Sequence, residues 1–244
     1  MSMSKAKAEN RELPKRFYTQ ALASHENGQW QILLDGRAVK TPAKAILHLP
    51  CETLALAVAD EWDAQKDVID PFDMPLTRLC TVAIDRMGTV RDEAAQEIAK
   101  FAETDLLCYR SDDLALAQEQ AQLWDPYLEW SKTALEAPLK ITNGIAAIAQ
   151  PETSLEAIRA HALALDDLRL TALVSAVPIL TSAVLGFALL EGESDAEKLW
   201  NVSQLEVDFQ ERRWGQDAEA ENSKHNKYRD LIACQRLFRV LDNA

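Results

Sequence analysis

The chain has 244 residues, 48% of them hydrophobic, and a formal charge of −13, which gives enough apolar material for a sizeable core and too little positive charge for phosphate-driven binding. Nucleic acid and anionic membrane surfaces are therefore not expected partners. The four cysteines, Cys51, Cys80, Cys108 and Cys234, form no C-x-x-C pair, so reduced thiols in a cytosol-like compartment fit better than structural zinc or a disulfide framework.

Residues 1–15 are polar, lack the apolar stretch of a secretory signal and read as a flexible tail. Short strands are predicted at Phe17–Ala23, Gln29–Leu34, Ala38–Thr41 and Ile46–Leu49, forming an antiparallel meander. Asn27-Gly28 and Asp35-Gly36 are hairpin signals, because both central positions of a tight hairpin turn favour residues that accept positive φ. From Glu52 the period becomes helical, with Leu54, Val58, Trp62 and Gln65 on one face. Val68–Pro75, broken by Pro71 and Pro75, is the predicted domain boundary.

Helices are predicted at Leu76–Arg86, Val90–Glu103, Asp113–Leu135, Thr153–Leu165, Leu168–Leu190, Asp195–Arg213 and Asp217–Leu241, with a possible strand at Leu139–Thr142. Leu170–Leu190 is uncharged for 21 residues, about a bilayer's span. Its polar stripe, mixed flanking charges and Pro178 nevertheless read as one kinked buried helix or two short ones. The expected fold class is α+β, an antiparallel β-rich N-terminal domain (16–75) followed by a larger helical domain (76–244).

The search for chemistry is mostly negative. Seven solitary glycines offer no phosphate-cradling loop, and four scattered histidines offer no metal-ligand spacing, so neither cofactor nor metal is expected. There is no G-x-S-x-G elbow. Two alternatives stay open: a thiol or carboxylate hydrolase with a site assembled from distant residues, such as Cys80 or Cys108 with a histidine, against the simpler reading of buried thiols, and a scaffold for some other client protein. One acid stands out by position. Leu199, Val202, Glu206 and Phe209 share one helical stripe. Either Glu206 lies at the stripe's edge and snorkels or pairs with Arg213, or it is an acid held on an apolar surface for a partner. Six tryptophans supply core material and possible interface anchors.

Glu61-Trp62-Asp63-Ala64-Gln65, Met74-Pro75-Leu76-Thr77-Arg78-Leu79, Thr104 to Arg110, Trp124-Asp125-Pro126, Ser203-Gln204-Leu205-Glu206 and Trp214-Gly215 occur in that order. Together they resemble the assembly chaperones that hold the alpha subunit of the F-type ATP synthase head before it joins beta. The similarity runs from about Arg16 to the C-terminus. It implies a nucleotide-independent, non-catalytic chaperone whose partner is that alpha subunit, without membrane insertion. Relatives work in the mitochondrial matrix or the bacterial cytoplasm, and the short N-terminus favours the latter. Trp62 matches the tryptophan of the E-W-D-x-Q motif and reads as mainly structural; Glu206 matches a glutamate implicated in function; Trp214 is the third client-binding candidate. Gln204 stands where the family often has Arg, which leaves the charge partner of Glu206 open.

Overall fold

The computed structural model describes residues 13–144, 147–215 and 218–243, with side chains outside the description at 218–222. Most of the tail predicted over 1–15, and the Asp217 start of the last predicted helix, lie outside the described residues. The class is α+β: a small antiparallel sheet near the N-terminus and then helices.

Strands β1 (Ala21–Glu26) and β2 (Gln29–Leu34) pair in register from Ala21↔Leu34 to Glu26↔Gln29. The joining turn is Asn27-Gly28, with φ of 52° and 81°, and Asp35-Gly36 repeats it at 46° and 81°, the conformation that this turn chemistry selects. It leads into β3 (Arg37–Ala38). The predicted meander needs correction. β4 (His48–Leu49) pairs with Trp30 and Gln31 of β2, so β3 and β4 share one edge of β2. The first strand also starts later than Phe17, because Asp35 accepts from the Thr19 and Gln20 N–H groups and holds that stretch outside the ladder.

Helix α1 (Glu52–Asp63) packs on the sheet with Leu54, Ala55 and Val58 buried. Its last turn organises the connection that follows. Helix α2 (Pro75–Val82) opens with Pro75 at its first position and no side-chain cap from its own N-cap, Met74. The cap comes from Glu61 in α1. Its buried carboxylate accepts from the N–H of Leu76 and Thr77 and from the Thr77 hydroxyl, each at 2.8 Å. Asp63 pairs with Arg16 at 3.1 Å. The Gln65 amide donates to Glu61 O and accepts from Asp70 N. The E-W-D-A-Q run therefore fastens three stretches of chain to one helix end.

A π-helical turn, Ala83–Met87, joins α2 to α3 (Gly88–Glu103). The uncharged stretch resolves into two helices, α6 (Asp167–Leu180) and the wholly buried α7 (Ala183–Leu190), on which α3 and other helices pack. The break falls at Thr181, with φ of 52°, and at Ser182, which caps α7; Pro178 is accommodated inside α6. Close approach of the two helices requires Gly186, where a Cβ would lie 2.5 Å from Val177 Cγ2. No helix among the described residues is long and apolar enough to cross a membrane. The strand predicted at Leu139–Thr142 is displaced: β6 is Thr142–Asn143, parallel to β5 (Tyr109–Arg110). Helices α4 (Leu114–Ala134), α5 (Glu152–Ala164), α8 (Ala196–Trp214) and α9 (Ala218–Asp242) complete the fold. One apolar core runs from Tyr18 to Phe238.

A second buried carboxylate fixes α7. Asp105 accepts from Leu107 N at 3.1 Å and Val184 N at 3.2 Å. Full burial pushes its carboxyl up to about 6, although these hydrogen bonds and one from Ser182 pull it down.

Two stability outcomes are expected. Glu61→Ala leaves two buried N–H groups without acceptors and removes a cap, a loss of about 2–4 kcal/mol in denaturant unfolding, with Glu61→Gln losing less. Asp105 holds its proton more tightly in the folded state than in the unfolded chain, where a carboxyl titrates near ~3.9. Its contribution therefore grows as pH falls from about 6. Unfolding midpoints of the native chain minus those of Asp105→Asn should rise on acidification through that window; parallel curves would contradict it.

Candidate functional site

Helices α4 and α8 run antiparallel, and polar contacts mark their register. From one end to the other these are Asp113–Arg213 at 2.7 Å, Glu119–Arg212 at 2.7 Å, Gln120–Glu206 at 2.7 Å and Trp124 Nε1 donating to Val202 O at 3.1 Å. The α8 stripe of Leu199, Val202, Leu205 and Phe209 is buried, and Glu206 lies half-buried at its edge. Its expected alternative partner is engaged elsewhere: Arg213 pairs with Asp113 and lies over the Phe209 ring at 4.2 Å. Gln204 donates to Ser203 Oγ at 3.4 Å. The partner of Glu206 is instead a neutral amide from another helix.

That amide is fixed. Gln120 is fully buried, its Oε1 accepts from Ser111 N at 2.8 Å, and its Nε2 donates to Glu206 Oε1. A backbone N–H can only donate, so the amide oxygen must face Ser111 and the NH₂ must face the carboxylate. Gln120 is the functional candidate that sequence reasoning missed, although a signal was present. Leu116, Gln120, Trp124 and Tyr127 recur at helical spacing, so each of two apolar stripes carries one polar residue, and the two meet.

Beside the pair opens a cleft of about 740 Å³ whose lining includes Tyr109, Arg110, Asp112, Leu116, Glu206 and Val207. Arg110 is buried and already occupied: it donates to Leu107 O at 2.6 Å, pairs with Asp125 and lies 5.1 Å from the Trp124 ring. Burial raises the Glu206 carboxyl above its ordinary value, and the Gln120 hydrogen bond only partly offsets this. The site is thus a half-desolvated carboxylate opening onto a mixed polar and apolar cleft.

The other candidates lie apart from it. Trp214 ends α8 and is 82% exposed; Leu114, beginning α4, is 80% exposed. The Asp113–Arg213 pair brings these two exposed apolar residues to the same end of the seam. Trp62 sits in α1, partly buried, with its ring 5.9 Å from Tyr18 and its carbonyl accepting from the Tyr18 hydroxyl at 2.6 Å. Cys80 and Cys108 are fully buried, and burial pushes the Cys108 thiol up to about 12 and Cys80 higher still. Both therefore stay protonated at neutral pH, which argues against either as a thiolate nucleophile. Among the described residues, no group of three His, Cys, Asp or Glu side chains is placed to hold a metal ion.

A family model described as ATP12 chaperone protein matches residues 15–132. The solved structure of Atp12 from Paracoccus denitrificans is 39% identical, with a TM-score of 0.88 over 93% of this chain and 98% of that one. The Atu1473 protein of Agrobacterium tumefaciens is 36% identical, with a TM-score of 0.89 over 94% of this chain and 87% of that one. A mitochondrial protein named atp12 from Schizosaccharomyces pombe is 28% identical over 90% of this chain and 80% of its own length. With this fold and this level of identity along nearly its whole length, the chain belongs to the ATP12 chaperone family.

Proposed function

We propose that the chain is a nucleotide-independent assembly chaperone that holds the unassembled alpha subunit of the F-type ATP synthase head and yields it to beta, with the Glu206 cleft on its client-binding face. It acts by binding and not by catalysis, in the bacterial cytoplasm. An unassembled subunit exposes the apolar interface meant for its neighbour, and large exposed apolar patches aggregate. Covering that patch and then releasing it to beta requires only that alpha bind beta more tightly than it binds the chaperone. Exposed Leu114, Val207 and Trp214 near the α4–α8 seam supply apolar contact, and the ion pairs of Arg212 and Arg213 span the seam. Trp62 serves the fold.

The observation that carries the placement is Glu206 itself, a half-buried carboxylate with one neutral donor and an open cleft before it. The chain gives each of the buried carboxylates Glu61 and Asp105 more donors than that. Co-expression with the alpha subunit alone tests the reading: alpha should stay soluble, co-purify with this chain and be released on adding beta. Alpha that remains insoluble would refute it. In the same assay Glu206→Lys should lower capture at least tenfold, and Glu206→Gln should lower it less. Stability should stay within about 0.5 kcal/mol of the parent for Gln. Full capture by Glu206→Lys would remove this residue from the client face.

A further inference from the structure

We infer that the Glu206 cleft is a socket for one cationic side chain of the client, lysine or arginine, and that Gln120 is the positioning residue that aims the carboxylate into it. This rests on the client-binding reading above and adds to it the chemistry of what enters.

The first argument is an unfilled capacity. A carboxylate presents about four acceptor sites. Glu206 uses one oxygen, for a neutral amide, and among the described residues no cation pairs with it. A half-desolvated charge without a counter-charge is unfavourable, and a guanidinium or ammonium entering the cleft removes that penalty. The second argument is that the neighbouring cations are committed. Arg110, Arg212 and Arg213 are bonded to Asp125, Glu119 and Asp113, while Asp112 adds a second carboxylate to the lining. The field at the cleft therefore favours an incoming positive charge. The third is shape. Leu116 and Val207 line the same cleft and suit the aliphatic stem of a long basic side chain, whose apolar length packs while its head pairs.

Gln120 completes the socket. Its amide is locked by Ser111 N–H, so its NH₂ is fixed on Glu206 Oε1, and the second oxygen is left for the client. Without that donor the carboxylate stays half-buried but is no longer aimed. The groups facing Glu206 are Gln120 from α4 and Tyr109, Arg110 and Asp112 from the β5 strand and turn; Asp113 and Glu119 are neutralised by their arginines. Glu206 must be ionised to hold a cation. Because the Gln120 hydrogen bond lowers its proton affinity, loss of that bond should make capture fail at a higher pH on acidification.

The test is a mutant cycle with the purified alpha subunit. Each Lys and Arg on alpha's beta-facing surface is changed to Ala and titrated against the native chain and against Glu206→Gln. One alpha variant should lose about tenfold or more against the native chain and show no further loss against Glu206→Gln, since contacting pairs are non-additive. Gln120→Met should weaken capture and shift its acid limb upward, and combining it with Glu206→Gln should add nothing to Glu206→Gln alone. Losses that are additive for every alpha cation would overturn the socket while capture by the native chain left the chaperone reading standing. An unshifted acid limb, or a Gln120→Met effect that persists in the Glu206→Gln background, would overturn the positioning role. The alpha-cation cycle requires no change at Gln120 and stands if that variant folds poorly.

Discussion

The constraint on which the rest of this structure depends is the capping of α2 by Glu61. A helix that begins with proline and has no cap of its own presents free N–H groups, and here they are buried. By accepting from Leu76 and Thr77, Glu61 ties the last turn of α1 to the first turn of α2. Because α1 lies on the sheet and α2 packs against α6 and α9, one carboxylate sets how the β-rich layer meets the helices. Asp63 and Gln65 brace the same turn through Arg16 and Asp70. Glu61, Asp63 and Gln65 of the E-W-D-A-Q motif are thereby explained as architecture.

The seam between α4 and α8 is built on a different principle. Its far portion is closed by Trp124 bonding to Val202 and by the Tyr127–Ser194 hydrogen bond at 2.9 Å. Toward the α4 N-terminus Gln120 and Glu206 interrupt the apolar stripes, with Leu116 and Phe209 buried beyond them. Arg213, the partner the sequence offered for Glu206, is drawn off to Asp113, and Arg212 beside it pairs with Glu119. Among the described residues, that diversion leaves Glu206 without a counter-charge.

Much of the fold was legible because turn chemistry and period are local signals. Asn27-Gly28 and Asp35-Gly36 adopt the positive φ values that marked them as hairpins, and α4 and α8 begin one residue from their expected starts. Non-local pairing was not legible. That β4 joins β2 and that β6 pairs with β5 depends on where distant segments land. The uncharged stretch is two helices, one of the two expected alternatives, but the break falls after exposed Pro178, at the left-handed Thr181 and the Ser182 cap. In the site, periodicity isolated Glu206 correctly as an acid in an apolar stripe. The same test applied to α4 would have isolated Gln120, yet nothing in either stripe said that they face each other.

Three carboxylates, Glu61 and Asp105 buried and Glu206 half-buried, differ in what surrounds them, and the proposed division between folding and client binding rests on that difference. Glu61 accepts three hydrogen bonds, two of them from backbone N–H groups. Asp105 accepts from Leu107 and Val184 in a fully closed site. Both are saturated by donors of their own chain, and neither opens on a cleft through which a partner could act. Glu206 accepts one bond from a neutral amide and opens on a cleft. Partial satisfaction suits a temporary hold. A carboxylate already paired with an arginine would have nothing to gain from a client, and one free in water would exchange hydration for pairing at little net gain. On the proposed reading, a half-desolvated acid held in place by a neutral donor would gain from a client's charge without binding it beyond the reach of a competing subunit.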